Sequence, residues 1–372
     1  MNHSETSKKP TVRKLPIPIP LLIIYGTTAV ATVLYFLFRS IPAFADAWNT
    51  SVGAVLRRVL AYGTTLFPFS LAETLLIGSP LILGFLIFIG IRYFVKSLRG
   101  TLVYCGSILA AVCIIWQLFA LAFAPGYFVP TLDKKLGIER KNVSAQQLYD
   151  TARILIDAIN ETNDEVLYRG NGFSMMPYTY SDMNGKLLDA YEVAGESFDA
   201  IRSFQSTVKP VALSEPMSYT HITGVYTFFT GEANINVNFP DYSIPYTAAH
   251  ELAHQRGFAR EDEANFIAFL VCSASDDPYI RYSGYVRMYE YVMSALYRAD
   301  KDLYFEARGT VEPIVITEQR AYAEFFKKYE HSTVGEVSGA INNSYLQSQG
   351  TVGTRSYGMV VDLTVAYFEA RK

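Results

Sequence analysis

Charge is scarce in this chain. Only 18% of its 372 residues are Asp, Glu, Lys or Arg, against roughly 25% in an ordinary soluble protein. The charges nearly cancel, with 32 basic and 35 acidic residues and a formal net charge of -3. That balance leaves no ground for a nucleic-acid partner. Cysteine is nearly absent, and 3 residues cannot build a disulfide scaffold. Cys105 and Cys113 share one apolar run, about 12 Å apart along a helix and beyond disulfide reach. Cys272 stands alone. Histidine numbers only 5, so an ordered grouping of histidines carries weight. Half of the residues are hydrophobic, which argues against disorder.

That hydrophobicity is concentrated at one end. Leu15 to Phe38 carries no charge and is closed by Arg39. Pro16, Pro18 and Pro20 make its start a poor helix interior. Thr74 to Ile91 is a second uncharged run, closed by Arg92, and Thr101 to Leu132 is a third, with Pro125 ending its helix. Each can cross about 30 Å of hydrocarbon at 1.5 Å per residue. Spans are expected over about residues 20–38, 74–92 and 101–124, within a membrane region of residues 1–132. Lys8, Lys9, Arg13 and Lys14 before the first span, and Arg92, Lys96 and Arg99 between the second and third, predict a cytoplasmic N-terminus. The protein is thus expected in the cell membrane as a multi-pass chain, with everything after the third span extracytoplasmic. The segment Ser40 to Glu73 reads as interfacial or re-entrant, with Trp48, Phe67 and Phe69 among its prolines. Arg57 and Arg58 within it run against the charge rule.

Residues 133–372 have the composition of a soluble domain, large enough for a substantial core. Ser144 to Asn160 predicts an amphipathic helix opened by a capping box of Ser144 and Gln147. Met183 to Phe204, Thr317 to Tyr329, Val334 to Leu346 and Met359 to Phe368 also read as helices. Ala233, Ile235, Val237 and Phe239 alternate with Asn234, Asn236 and Asn238, a period of two that predicts a strand. With Thr223 to Phe229 it forms a small sheet turning at Gly231, the asparagines marking an edge strand.

His250-Glu251-Leu252-Ala253-His254 follows, in a helix stopped by Gly257. His250 and His254 lie one turn apart on one face, where two imidazoles grip one divalent ion, Zn²⁺ above all. Glu251 sits about 100° round the helix, placed to reach water rather than metal. A zinc site of this type needs a third protein ligand. Glu261 opens the next helix with Asn265 four residues on, on the same face. Glu261 is the preferred ligand and Asn265 would orient a ligand histidine. Glu263, about 200° away, is the rival ligand. An acidic first helical turn also arises from the helix dipole alone, which accounts fully for Asp262.

His250-Glu251-x-x-His254 followed by Glu261-x-x-Ala264-Asn265 resembles the gluzincin pattern of membrane-anchored prenyl-protease-like and repressor-cleaving peptidases, with a shorter gap than in the prenyl-protease group. A longer match, taking in Gly231-Glu232-Ala233-Asn234, His250 to Phe266 and Arg281-Tyr282-Ser283-Gly284-Tyr285, is similar to an uncharacterised bacterial membrane family labelled domain of unknown function 3810. The resemblance implies a zincin-like domain and no particular substrate. The expected fold is therefore about three N-terminal transmembrane α-helices followed by a mostly helical α+β zincin-like (gluzincin) domain with a small sheet.

The function expected is a membrane-anchored, zinc-dependent metallopeptidase acting on envelope or extracellular peptides or proteins. Glu251 would serve as general base. Tyr282, Tyr285 and His221 are candidate oxyanion donors. An extended substrate would pair with the edge of Ala233–Phe239. Two other readings stay open: a catalytically silent zinc-binding sensor, and a structural envelope protein.

Overall fold

A computed structural model describes residues 17–371. The basic tail of Lys8, Lys9, Arg13 and Lys14 lies outside the described residues. The first element, α1 (Ile19–Ser40), starts after Pro18 with Pro20 in its first turn, where a missing N–H costs nothing. Short helices α2 (Pro42–Thr50) and α3 (Val52–Thr65) follow. Then α4 (Leu71–Lys96) and α5 (Leu98–Leu118) form an apolar hairpin. The last of these continues as a π turn (Phe119–Phe123) and a 3-10 turn (Ala124–Tyr127), broken up around Pro125. Three helical runs, Ile19–Ser40, Leu71–Lys96 and Leu98–Tyr127, are long and apolar enough to cross a membrane. They coincide with the three uncharged runs. No residue of α4 is buried, so its apolar side chains lack a protein cover.

The segment Ser40 to Glu73 packs on the downstream domain. Arg57, on α3, is only 1% exposed. Its guanidinium donates to the carbonyls of Asn49, Ala122 and Arg256 and to the Asn49 amide oxygen. Asn49 donates in turn to the Gly257 carbonyl at 3.2 Å. A second fastening holds the start of α4. The Glu232 carboxylate accepts from the N–H groups of Leu71 and Ala72, satisfying donors that a helix start leaves free. Lys209 neutralises that carboxylate at 2.6 Å.

Beyond the apolar helices come α6 (Leu132–Leu136), α7 (Ala145–Asn163), α8 (Tyr180–Ser197) and α9 (Ser214–Ser218). The capping box at Ser144 is formed as the sequence predicts. The sheet consists of β1 (Val208–Pro210), β2 (Gly224–Thr227) and β3 (Glu232–Ile235), in the order β1-β3-β2. Here the edge expectation is corrected. The Ala233 strand is the middle one, parallel to β1 and antiparallel to β2. Asn234 in it and Asn236 just beyond it are buried, with protein rather than water accepting from their amide N–H groups: Asn234 donates to Val225 and Glu232, and Asn236 to Ser218 and Ile222.

The remaining helices are α10 (Ser243–Gln255), α11 (Glu261–Ser273), α12 (Pro278–Ala299), α13 (Lys301–Arg308), α14 (Pro313–Phe326), α15 (Thr333–Ser348) and α16 (Val360–Glu369). One core joins α7, α8, α10, α11, α12 and α16 to β3. Both α10 and α11 are buried almost throughout. The crossing of α11 and α12 has no slack: a Cβ built at Gly284 would stand 2.5 Å from the Cβ of Cys272. Gly284→Ala should therefore destabilise the protein by about 1–3 kcal/mol through overpacking. A thermal melt of the detergent-purified chain checks this, and an unchanged Tm would show that the two helices can separate freely.

Candidate metal centre

The histidines stand on α10, a helix opened by Pro245 within its first turn and closed after Gln255. Gly257 takes a φ of +100°, a conformation that favours glycine. The turn brings the Phe258 carbonyl back to 2.7 Å from Nδ1 of His254. A carbonyl only accepts, so Nδ1 carries a proton. Burial alone would lower the His254 pKa, but the Glu261 carboxylate outweighs it and raises it to about 9. Nε2 therefore also holds a proton, which a bound cation would have to displace. On α11, Glu261 faces the same point. Its Oε2 lies 3.3 Å from His250 Nε2 and 3.4 Å from His254 Nε2. One ligand atom from each residue falls within 4.8 Å of the others.

Those distances can be set against two geometries. A charge-assisted N–H···O bond is about 2.7–2.9 Å long. Two ligands on a tetrahedral zinc with arms of about 2.0–2.1 Å stand roughly 3.3–3.4 Å apart. The two nitrogen–oxygen distances fall in the second range, and all three ligand atoms lie within 4.8 Å of one another. Oε2 of Glu261 and Nδ1 of His250 are buried without a partner of full hydrogen-bond geometry, although the Asn265 amide still acts on the His250 ring and favours its charged form. Burial, then the neighbouring His254, lowers the His250 pKa and so favours a neutral ring. For Glu261, burial alone would favour the neutral acid, but the two histidines outweigh it and hold the carboxylate ionised. Two imidazoles and a carboxylate, with orphaned buried atoms among them, fit a divalent cation.

Glu263 does not face this point. It is buried against Arg260 at 2.8 Å and accepts the N–H of Leu132. Glu261 is thus the acid that the structure brings to the histidines. Glu251 lies on the other flank, lining a cavity with about 1090 Å³ of empty space, part of it open to solvent. Burial pushes its pKa up to about 8, against the opposing pull of His254, and its Oε2 has no partner. Strand β2 passes close by. A side chain at Gly224 would meet Oε1 of Glu251 at 2.6 Å, so only glycine lets the strand approach.

Tyr282 and Tyr285 are not among the residues lining this cavity. Tyr282 is fully buried, donating to Glu318 and bonded to Tyr168. Tyr285 packs on Phe269. The cause is helical phase: α12 presents Arg287 and Tyr291 to the cavity, and positions 282 and 285 sit about 140° and 200° away from 287. His221 does line the cavity. Its backbone has a φ of +60°, rare outside glycine, and its Nε2 donates to the Tyr329 carbonyl at 2.7 Å.

Tyr357 is the residue that sequence reasoning missed. It comes from the 3-10 segment Gly353–Met359, lines the cavity and lies close enough to Glu261 for the carboxylate to raise its pKa further after burial. Asn342 donates to its hydroxyl, and Asn265 to its carbonyl. Burial raises the phenol pKa, so it remains a donor. Nearly a hundred residues separate it from the motif, and no local pattern marks it.

The sequence profile of a family described as protein of unknown function (DUF3810) matches residues 48–365. The chain belongs to that family. No curated protein and no solved structure matches the chain.

Two variants separate ligand from scaffold. Glu261→Ala should lose bound zinc with little loss of fold. Glu263→Ala should keep zinc while leaving Arg260 without its buried partner, a cost of about 3–5 kcal/mol. Zinc per mole by mass spectrometry, together with Tm, reads both. The opposite pairing would reassign the ligand.

Proposed function

We propose that the protein is a membrane-anchored zinc metallopeptidase of the gluzincin type. The observation that carries this reading is the 3.3 and 3.4 Å spacing of two imidazole nitrogens from one buried carboxylate oxygen, with an unpartnered Glu251 carboxylate oxygen on the same helix. His250, His254 and Glu261 would hold Zn²⁺. When bound, the ion supplies Lewis acidity, polarising a carbonyl and lowering the pKa of water toward about 7.

The chain's own residues do the rest. Glu251, in its ionised form, takes a proton from the attacking water at Oε2 and passes it to the leaving amine. Burial raises its pKa and so makes it a stronger base. Tyr357 donates its hydroxyl proton in a hydrogen bond to charge developing on the carbonyl oxygen. Asn265 steadies the His250 ring and the Tyr357 backbone together. An extended peptide would add along β2, the strand that reaches Glu251 at Gly224, rather than along the interior strand β3. Arg287, Tyr322 and Phe326 line the same cavity and offer a mixed aromatic and cationic wall to a substrate side chain.

In this reading α1, α4 and the α5 run cross the bilayer, with the N-terminus cytoplasmic and the zinc domain outside. The substrates are peptides or proteins at the outer membrane face or in the envelope.

A peptide-library digestion with the full-length enzyme in detergent tests the proposal. Glu251→Gln should cut turnover by about 10²–10⁴-fold with zinc retained. Tyr357→Phe should lower kcat by roughly 10²-fold, again with zinc unchanged. Zinc-loaded wild type that cleaves nothing would favour the silent sensor. Cleavage that persists in Glu251→Gln would remove Glu251 from its role.

A further inference from the structure

A second recess lies on the far side of α10, bounded by α2, α3, α6 and the segment 200–204, with about 600 Å³ of empty space partly open to solvent. Its walls are cationic: Arg57, Arg58, Lys135, Arg202 and Arg256 all line it, against the single acid Glu263. Glu263 is already paired with Arg260, and Lys135 with Asp46. The remaining four arginines make no ion pair with a carboxylate among the described residues.

Helix ends offset part of this charge. Arg57 donates to carbonyls ending α2 and the π turn and to that of Arg256 just after α10, and Arg256 to carbonyls of Leu252 and Phe204. Each helix C-terminus carries only about half a negative charge, too little for four guanidinium groups. The Nε atoms of Arg57, Arg58 and Arg256 are buried with no hydrogen-bond partner. Arg57 and Arg256 are themselves 1% and 8% exposed. Burial lowers Arg57 to about 10, and the adjacent Arg58 charge adds to the penalty. Arg58 is half-buried and Arg202 exposed. Arg256 stacks on Tyr191 and Phe204, Arg58 on Phe204, and Arg202 donates to the Thr50 carbonyl. None of these partners carries a formal negative charge, so four guanidinium groups at one recess suit an anion, and planar N–H forks match the oxygens of phosphate.

The recess also sits beside the apolar helices. One residue separates α2 from α1, and Arg57 bonds Ala122 in the turn that ends the α5 run. We propose that this recess binds a phosphate-type anion, carried by an acidic phospholipid headgroup or by free phosphate. It would also explain two arginines on the side of the membrane where basic residues are least expected.

The test melts the full-length protein in neutral detergent with inorganic phosphate or with sodium chloride of matched ionic strength. In parallel it melts the protein in nanodiscs of phosphatidylglycerol or phosphatidylcholine. A Tm rise of about 2–4 °C with phosphate over chloride, lost in the Arg58→Gln/Arg202→Gln double variant, supports a free-anion site. A rise confined to phosphatidylglycerol, lost in the same variant, supports a headgroup site. Arg202→Gln alone, at an exposed position, should lose part of the rise and serves if the double variant does not fold. No rise in either arm, or an equal rise in every variant, overturns the proposal.

Discussion

Two imidazole Nε2 atoms and one carboxylate oxygen, brought together inside the core, set the terms for what surrounds them. Such a grouping is costly on its own, because a buried carboxylate needs either a proton or a positive charge. The neighbouring residues are arranged to keep it ionised and aligned. Phe258 fixes the His254 ring from behind, which depends on the turn at Gly257. Asn265 and Tyr357 hold the remaining sides. Glu251 is kept apart from the cluster, on the cavity side, with an oxygen to spare. In that arrangement one carboxylate is held well below its usual pKa and the other is raised to about 8, the separation that the proposed ligand and base would use.

The centre is also tied to the apolar helices. Phe123, in the π turn, packs its ring against His254. The carbonyl just before it accepts from Arg57, which bridges to α10 through Arg256. On the other side the sheet grips the start of α4 through Glu232. The family match begins at residue 48, inside α2. The matched region thus contains these fastenings along with the histidine helix, and leaves α1 outside.

Much of this was legible in the residues. The uncharged runs mark the three apolar helices because length and absence of charge are local properties. Ser144 with Gln147, and Gly257 after His254, mark helix ends because capping is local too. That Glu261 rather than Glu263 faces the histidines followed from one helical turn to Asn265. What stayed hidden depends on contacts distant in sequence. Asn234 and Asn236 looked like a solvent face, but backbone carbonyls and a serine hydroxyl accept from their amides, so polarity did not mean exposure. Tyr282 and Tyr285 lay near the motif in sequence, yet the phase of α12 turns them elsewhere. Tyr357 arrives from the far end of the chain. Arg57 looked like a misplaced membrane flank and proved to be a buried strut.

The most direct measurement is zinc K-edge X-ray absorption on the full-length protein purified without added chelator. The account predicts one zinc per chain with about four light ligands near 2.0–2.1 Å, including the multiple-scattering signature of two imidazoles. A chain that binds no zinc, or zinc surrounded only by oxygen, would contradict it.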